Sequence, residues 1–205
     1  MACIIFGAGS YYGLERCPEP KDDIVIAADG GWRYCKQEGL TPDLLLGDFD
    51  SLAEVPDFAH IHRVPVEKDD TDMMLAVKEG LTRGQREFHL YGGMGGARSD
   101  HTLANLQALL YLTCHGARGW LYGNKERYTV IREESIVFPA RKQGILSVFC
   151  IGPDAEGVAI TGAQYPLKDA VLTADFPLGV SNHFIGEPIT VSVRKGSLLI
   201  GLLDK

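Results

Sequence analysis

Asp48 and Asp50 stand two residues apart in Gly47-Asp48-Phe49-Asp50-Ser51, directly after an apolar run. In extended backbone, side chains two apart point to the same side, so the two carboxylates converge and suit a hard, oxygen-seeking cation. The same segment also reads as a polar strand-to-helix turn, with Asp50 or Ser51 capping a helix. A second acidic edge, Lys68-Asp69-Asp70-Thr71-Asp72, opens a stretch of helical period. Asp and Thr are favoured caps and acids complement the helix dipole, so capping accounts for one of these side chains. It leaves the surplus carboxylates unexplained.

Gly92-Gly93-Met94-Gly95-Gly96-Ala97-Arg98-Ser99-Asp100-His101 carries the sharpest chemical signal. Glycines before a helix N-terminus let backbone N–H groups approach a phosphate closely, and Arg98 adds a fork that can bind phosphate oxygens in pairs. The alternative is a flexible turn capped by Ser99 or Asp100. The segment is neither G-x-x-x-x-G-K-[ST] nor a clean G-x-G-x-x-G. Ala28-Asp29-Gly30-Gly31 closes an earlier apolar run in the same way, either as a tight turn or as part of a binding edge. Four successive strand ends thus bring carboxylates or glycines to one edge of a sheet, where ligands of open α/β sheets bind. One shared site explains all four.

The elements that must hold these residues follow from the apolar pattern. Up to about Gly123 short apolar runs alternate with segments of helical period, which predicts βαβ units around a parallel sheet. The strands are expected at 3–6, 24–28, 44–46, 62–66, 88–91 and 119–122, and the helices at 31–38, 72–81 and 102–114. The last helix is expected to bury Leu103, Leu106, Leu109 and Leu110 as one stripe. After Asn124 the helical period vanishes. Runs rich in Val, Ile and Thr, separated by turns such as Gly152-Pro153-Asp154, predict strands at 128–132, 136–138, 146–150, 158–161, 170–173, 189–193 and 198–202. The expected fold class is therefore α/β plus all-β, with a parallel-sheet α/β domain over 1–123 followed by a β-sandwich over 124–205.

Composition bounds the function. With 205 residues, 45% apolar and 23% charged, the chain can bury a sizeable core and lacks the bias of disordered or fibrous sequences. A formal net charge of −7 argues against a surface built for nucleic acid or anionic lipid, and it means an anionic substrate needs a metal ion and a few placed cations. The five cysteines, Cys3, Cys17, Cys35, Cys114 and Cys150, show no C-x-x-C pair and read as buried thiols. No apolar run reaches the roughly 20 residues of a membrane span and no signal-type start is visible, so a reducing cytoplasm is the expected location. Trp32 and Trp120 are expected in the core, and no histidine is given a catalytic part.

In order and combination, the Asp-Gly-Gly turn, the Gly-Asp-x-Asp-Ser segment, the Asp-x-Thr-Asp segment and the glycine-rich Arg-x-Asp-His stretch resemble the thiamine pyrophosphokinase family. The similarity extends to Gly162-Ala163-Gln164-Tyr165-Pro166-Leu167 and Gly179-Val180-Ser181-Asn182-His183-Phe184, which look like that family's thiamine-binding segments. The resemblance implies an α/β nucleotide-binding domain followed by a β-sandwich, acting as a homodimer with sites between subunits. It implies ATP as co-substrate, Mg2+ as cofactor and thiamine as acceptor, whose primary alcohol attacks the β-phosphorus while AMP leaves. Asp48, Asp50 and Asp72 are then expected to hold magnesium and the ATP phosphates. Asp100 is expected near the reacting hydroxyl, and Arg98 with Gly92, Gly93, Gly95 and Gly96 on phosphate, alongside Asp29, Gly30 and Thr71. Ser181 and Asn182 are expected to contact thiamine, with Phe184 stacking on it. One residue departs from the family pattern: Ala97 stands between Gly96 and Arg98 and lengthens the loop. The segment Gly7-Ala8-Gly9-Ser10-Tyr11-Tyr12 reads equally as a nucleotide contact or a plain loop. Two other functions fit the same residues, a pyrophosphokinase for another small alcohol such as a pterin, and a non-catalytic nucleotide or thiamine sensor.

Overall fold

The computed structural model describes residues 1–19, 22–47, 61–63 and 70–204, with the backbone alone described at 61–63. Among these residues the chain divides into two compact units, Met1–Ala108 with Gly116–Asn124, and Leu109–His115 with Lys125–Lys205.

Six parallel strands build the first unit: β1 (Cys3–Phe6), β2 (Ile24–Ala28), β3 (Leu44–Gly47), β4 (Ile61–Arg63), β5 (Glu87–Tyr91) and β6 (Arg118–Tyr122). Their spatial order is β6-β5-β1-β2-β3-β4. The described part of β4 starts one residue before the expected strand, and residues 64–66 lie outside the described set. β1, β2 and β3 are continuous apolar runs because both faces are covered. On one face Ile4, Phe6, Val25, Ala27, Leu45 and Tyr91 form a cluster with Cys35 of α1 (Trp32–Gln37), and Trp32 and Trp120 pack against it partly buried. On the other, α2 (Asp72–Thr82) buries Met73, Ala76, Val77 and Gly80, the last tight against Phe88 and Cys3.

The chain runs from β1 through β4 in one direction and resumes with β5 on the other side of β1. β1 pairs with both β2 and β5, with Phe6 opposite Tyr91. The strand order therefore reverses at β1 and β5, where carboxyl-end loops diverge and leave a crevice.

α3 (Ser99–Cys114) corrects one expectation. Of the expected stripe Leu109 is buried, Leu106 and Leu110 are half-buried and Leu103 is 64% exposed, so the buried face runs through Asn105, Ala108, Leu109 and Leu112. The helix is apolar on several stripes, so the period alone does not choose among them. A second correction concerns the thiols: Cys3 and Cys35 are buried, whereas Cys17 and Cys114 are exposed and Cys150 is intermediate.

In the second unit, β7 (Glu126–Arg132), β9 (Ile145–Cys150), β12 (Gly179–His183) and β14 (Ser197–Leu203) pair antiparallel in the order β12-β9-β14-β7. β8 (Ser135–Phe138), β10 (Ala155–Thr161), β11 (Leu167–Leu172) and β13 (Ile189–Ser192) form a second antiparallel sheet, ordered β11-β10-β13-β8. Alternate residues such as Leu146 and Val148, Val158 and Ile160, or Ile189 and Val191 are fully buried, as expected for sheets with one covered face. β12 is absent from the strands expected from the sequence. Its run Gly-Val-Ser-Asn-His does not alternate, Ser181 has a positive φ of 60, and the register with β9 shifts between Gly179 and Asn182. A bulged strand of this kind hides its period.

Candidate functional site

The crevice at the strand reversal holds a cavity of about 450 Å³. Its walls come from residues 7–10 after β1, Ala28 and Asp29 at the end of β2, Tyr34 of α1, residues 71–73 opening α2, and residues 92–93 and 95–98 with His101 and Asn105 after β5.

The two glycine loops are locked together because β1 and β5 are neighbours. The Gly7 N–H donates to the Tyr91 carbonyl and the Gly9 N–H to the Gly92 carbonyl, both at 2.8 Å, and Ser10 bridges to Met94. A Cβ on Gly92 would lie 2.3 Å from the Gly7 carbonyl oxygen, and one on Gly9 2.6 Å from that of Gly92. With φ of 63 at Gly92, only glycine fits. Asn105, 5% exposed on the buried face of α3, donates to the Gly93 carbonyl at 2.7 Å. Tyr34 donates its hydroxyl to the Gly9 carbonyl at 2.5 Å.

Of the expected phosphate and nucleotide residues, Asp29, Thr71, Asp72, Gly92, Gly93, Gly95, Gly96 and Arg98 line this cavity, and so does the extra Ala97. Gly30 and Asp100 are not among its walls. Gly30 is buried in a 3-10 turn and gives its carbonyl to Arg33 Nε. Asp48, Asp50, Lys68 and Asp69 lie outside the described residues. Gly47, the last residue of β3, abuts Asp29, its added Cβ falling 3.1 Å from the Asp29 Cα.

The acidic edge before α2 separates into distinct parts. Thr71 is the cap, its hydroxyl accepting from the Met74 N–H at 3.2 Å. Asp70 takes Lys78 at 2.6 Å. Asp72 stands in the first turn of the helix and lines the cavity. Across the cavity mouth, Arg98 and Asp100 form a bidentate pair, with Nε to Oδ1 at 2.9 Å and one terminal nitrogen to Oδ2 at 2.7 Å. The Arg98 guanidinium holds the Asp100 carboxyl down at about 2. Among the described residues no three acidic, His or Cys side chains are grouped closely enough to hold a metal by themselves.

In the second unit the two segments singled out from the sequence lie side by side: the Gln164 N–H donates to the His183 carbonyl and Ala163 bridges to Phe184. Asn182 is buried and ties them, its Oδ1 accepting from the N–H groups of Tyr165 and His183 at 2.9 Å and its Nδ2 donating to the Tyr165 carbonyl at 2.6 Å. Ser181 is exposed at a positive φ, with its N–H on Ser147 Oγ. Phe184 is 4% exposed beneath the Arg141 guanidinium, 5.4 Å from its ring centre. It floors a recess of about 320 Å³ that Gln164 and His183 also line.

Tyr34 and Asn105 line the cavity from outside every segment singled out in the sequence, while His101 lies within one of those segments without a role assigned to it. Tyr34 sits inside a helix pattern with no turn chemistry around it. Asn105 was legible as the one amide on the apolar side of α3, had the buried stripe been placed correctly.

Fold and site together define an α-and-β protein with a cavity of small-ligand size, walled largely by glycines, at the carboxyl ends of a parallel sheet. Comparison with known proteins narrows that class. Residues 19–120 match the family model described as the catalytic domain of thiamin pyrophosphokinase, and residues 132–198 that of its vitamin B1 binding domain. A thiamine pyrophosphokinase of Bacillus subtilis (strain 168) is 30% identical over 191 residues, covering 86% of each chain. A crystal structure of thiamine pyrophosphokinase from Bacillus subtilis superposes with a TM-score of 0.86 at 24% identity over 100% of both chains. Thiamin pyrophosphokinase from Candida albicans gives 0.77 at 13% identity, covering 99% of this chain and 90% of that one. The chain belongs to the thiamine pyrophosphokinase family.

Proposed function

We propose that the chain makes thiamine diphosphate by moving the pyrophosphoryl group of ATP onto the primary hydroxyl of thiamine. The oxygen of that hydroxyl forms a bond to the β-phosphorus, the bond from that phosphorus to the bridging oxygen of the α-phosphate breaks, AMP leaves, and the hydroxyl proton passes to a carboxylate or water. The observation that carries this reading is the cavity at the strand reversal, which two glycine loops, an arginine and carboxylates line together, as a polyphosphate with its counter-cation requires. Family membership favours thiamine over a pterin alcohol as the acceptor and favours catalysis over sensing.

On this reading residues 1–123 bind ATP, and residues 124–205, packed as a β-sandwich, bind thiamine. Magnesium suits the described donors: Asp29 and Asp72 both line the cavity, and this ion typically takes one or two carboxylates, several waters and substrate phosphates rather than a full protein cage. Asp72 would hold it together with Asp48 and Asp50, and when bound it neutralises charge on the polyphosphate. Arg98 and the 92–96 loop orient the phosphates, and orientation and charge neutralisation supply most of the rate. Asp100, held ionised by Arg98, is a poor proton acceptor, so it serves chiefly to place the hydroxyl. Ser181 and Phe184 contact thiamine, and Asn182 holds the segment that carries them.

A homodimer with sites between subunits and a cytoplasmic location complete the proposal. They draw on the resemblance and on the finding that no helix of the described residues is long and apolar enough to cross a membrane. Incubation with ATP, magnesium and thiamine tests the activity: AMP and thiamine diphosphate are expected in equal amounts. ADP would show a simple kinase instead, and no turnover would leave a binding protein.

A further inference from the structure

Among the backbone carbonyls at the meeting of the two glycine loops, four accept hydrogen bonds that bear on the cavity, those of Gly9, Tyr91, Gly92 and Gly93. A carbonyl oxygen turned towards a polyphosphate repels it, whereas an N–H attracts it. Each of the four is occupied by a donor from within the protein. The backbone serves two of them, through the N–H groups of Gly7 and Gly9. Side chains from other elements serve the remaining two. Asn105 of α3 donates to Gly93 at 2.7 Å, and Tyr34 of α1 donates to Gly9 at 2.5 Å.

Tyr34 is the less expected of these donors. It lies on a helix that follows β2, yet its hydroxyl reaches the loop after β1, and its ring is stacked on Tyr11 at 4.7 Å between centres and 25° between planes. Stacking fixes the ring, so the hydroxyl is aimed at the Gly9 carbonyl at little entropic cost. Tyr34 also lines the cavity.

We propose that Tyr34, assisted by Asn105, is a positioning residue for the polyphosphate: it holds the Gly9 carbonyl away from the anion so that the 7–10 loop can serve as part of the cradle. This rests on the transferase reading and extends it to the first loop, which sequence left divided between nucleotide contact and plain turn.

Tyr34→Phe removes the hydroxyl and keeps the stacked ring. Losing one donor to a carbonyl beside an anion should weaken magnesium tripolyphosphate binding, titrated directly by calorimetry, by roughly fivefold. The KM for ATP should rise by a similar factor while kcat and the KM for thiamine stay within about twofold. Asn105→Leu, nearly the same volume, should act on tripolyphosphate in the same direction. Equal affinity of Tyr34→Phe and the unsubstituted chain for tripolyphosphate overturns the proposal, and so does an equal rise in both KM values, which marks a general loosening. Failure of the unsubstituted chain to bind tripolyphosphate overturns it too. Absence of AMP formation by the unsubstituted chain sinks the transferase reading separately, since the titration needs no turnover.

Discussion

Arg98 and Asp100 hold one another in a bidentate pair. Their pair is exposed, at 67% and 63%, so water screens it and it adds little to stability. On the proposed function its value lies in keeping the guanidinium fork at the cavity wall, where a bound phosphate would present the same bidentate geometry with more charge. Arg98→Ala should therefore leave the melting temperature within about one degree and raise the KM for ATP about tenfold or more, measured by steady-state kinetics. Asp72→Asn should cut turnover most at limiting magnesium and recover in part at high magnesium. Its helix should survive, because Thr71 carries the cap. Phe184 is a different case. Its burial means that Phe184→Ala should raise the KM for thiamine and also cost about 3 kcal/mol of stability, visible as a lower urea midpoint. An unchanged thiamine KM in that variant would remove Phe184 from the substrate site.

Among elements, the neighbouring pair β1 and β5 decides the geometry. Because Phe6 lies opposite Tyr91, the loops that follow begin side by side and interlock through Gly7, Gly9 and Gly92. Gly92→Ala forces a left-handed backbone on a residue with a Cβ and drives that atom into the Gly7 carbonyl. A loss of about 2 kcal/mol or more is expected in chemical denaturation, together with weaker ATP binding. Asp23 does comparable work at the opposite ends of the strands. Its carboxylate accepts from the Ala2 N–H, the Glu19 N–H and both terminal nitrogens of Arg16, joining the start of β1 to the chain before β2. The existence of the described parallel strands and their succession along the chain were readable, because apolar runs ended by glycine and aspartate are local patterns. β12 was not, since a bulge and a positive φ erase the alternation. The buried side of α3 was not readable either, because Leu occurs on several of its faces.

For the molecule as a whole, two buried titratable groups set a pH window of stability. Burial pushes the His89 imidazole below its ordinary 6.5, although Glu87 at 2.9 Å pulls the other way and Tyr122 bonds the second ring nitrogen. Arg16 also opposes its protonation, while Asp23 weakly favours it. The unfolded chain therefore takes up this proton first, so the contribution is full above pH 6.5 and declines as pH falls below it. Burial by itself would raise the Asp23 carboxyl, but Arg16 and the N–H groups of Glu19 and Ala2 hold it at about 2. That contribution is intact above about pH 4 and is lost as pH falls towards 2. Thermal midpoints should be level near pH 7 to 8, drop below pH 6.5, and drop again below pH 4. His89→Gln should flatten the first decline. By itself the amino-acid sequence determined the turn chemistry, the succession of described elements apart from β12, and the residue types at the cavity, for these are properties of short windows. Tertiary structure alone decided that α3 buries Asn105 rather than Leu103, that Arg98 closes on Asp100, and that Tyr34 reaches a loop 25 residues away in the chain. Such contacts join segments that no local period relates, and which of them forms depends on the packing of the sheet between them.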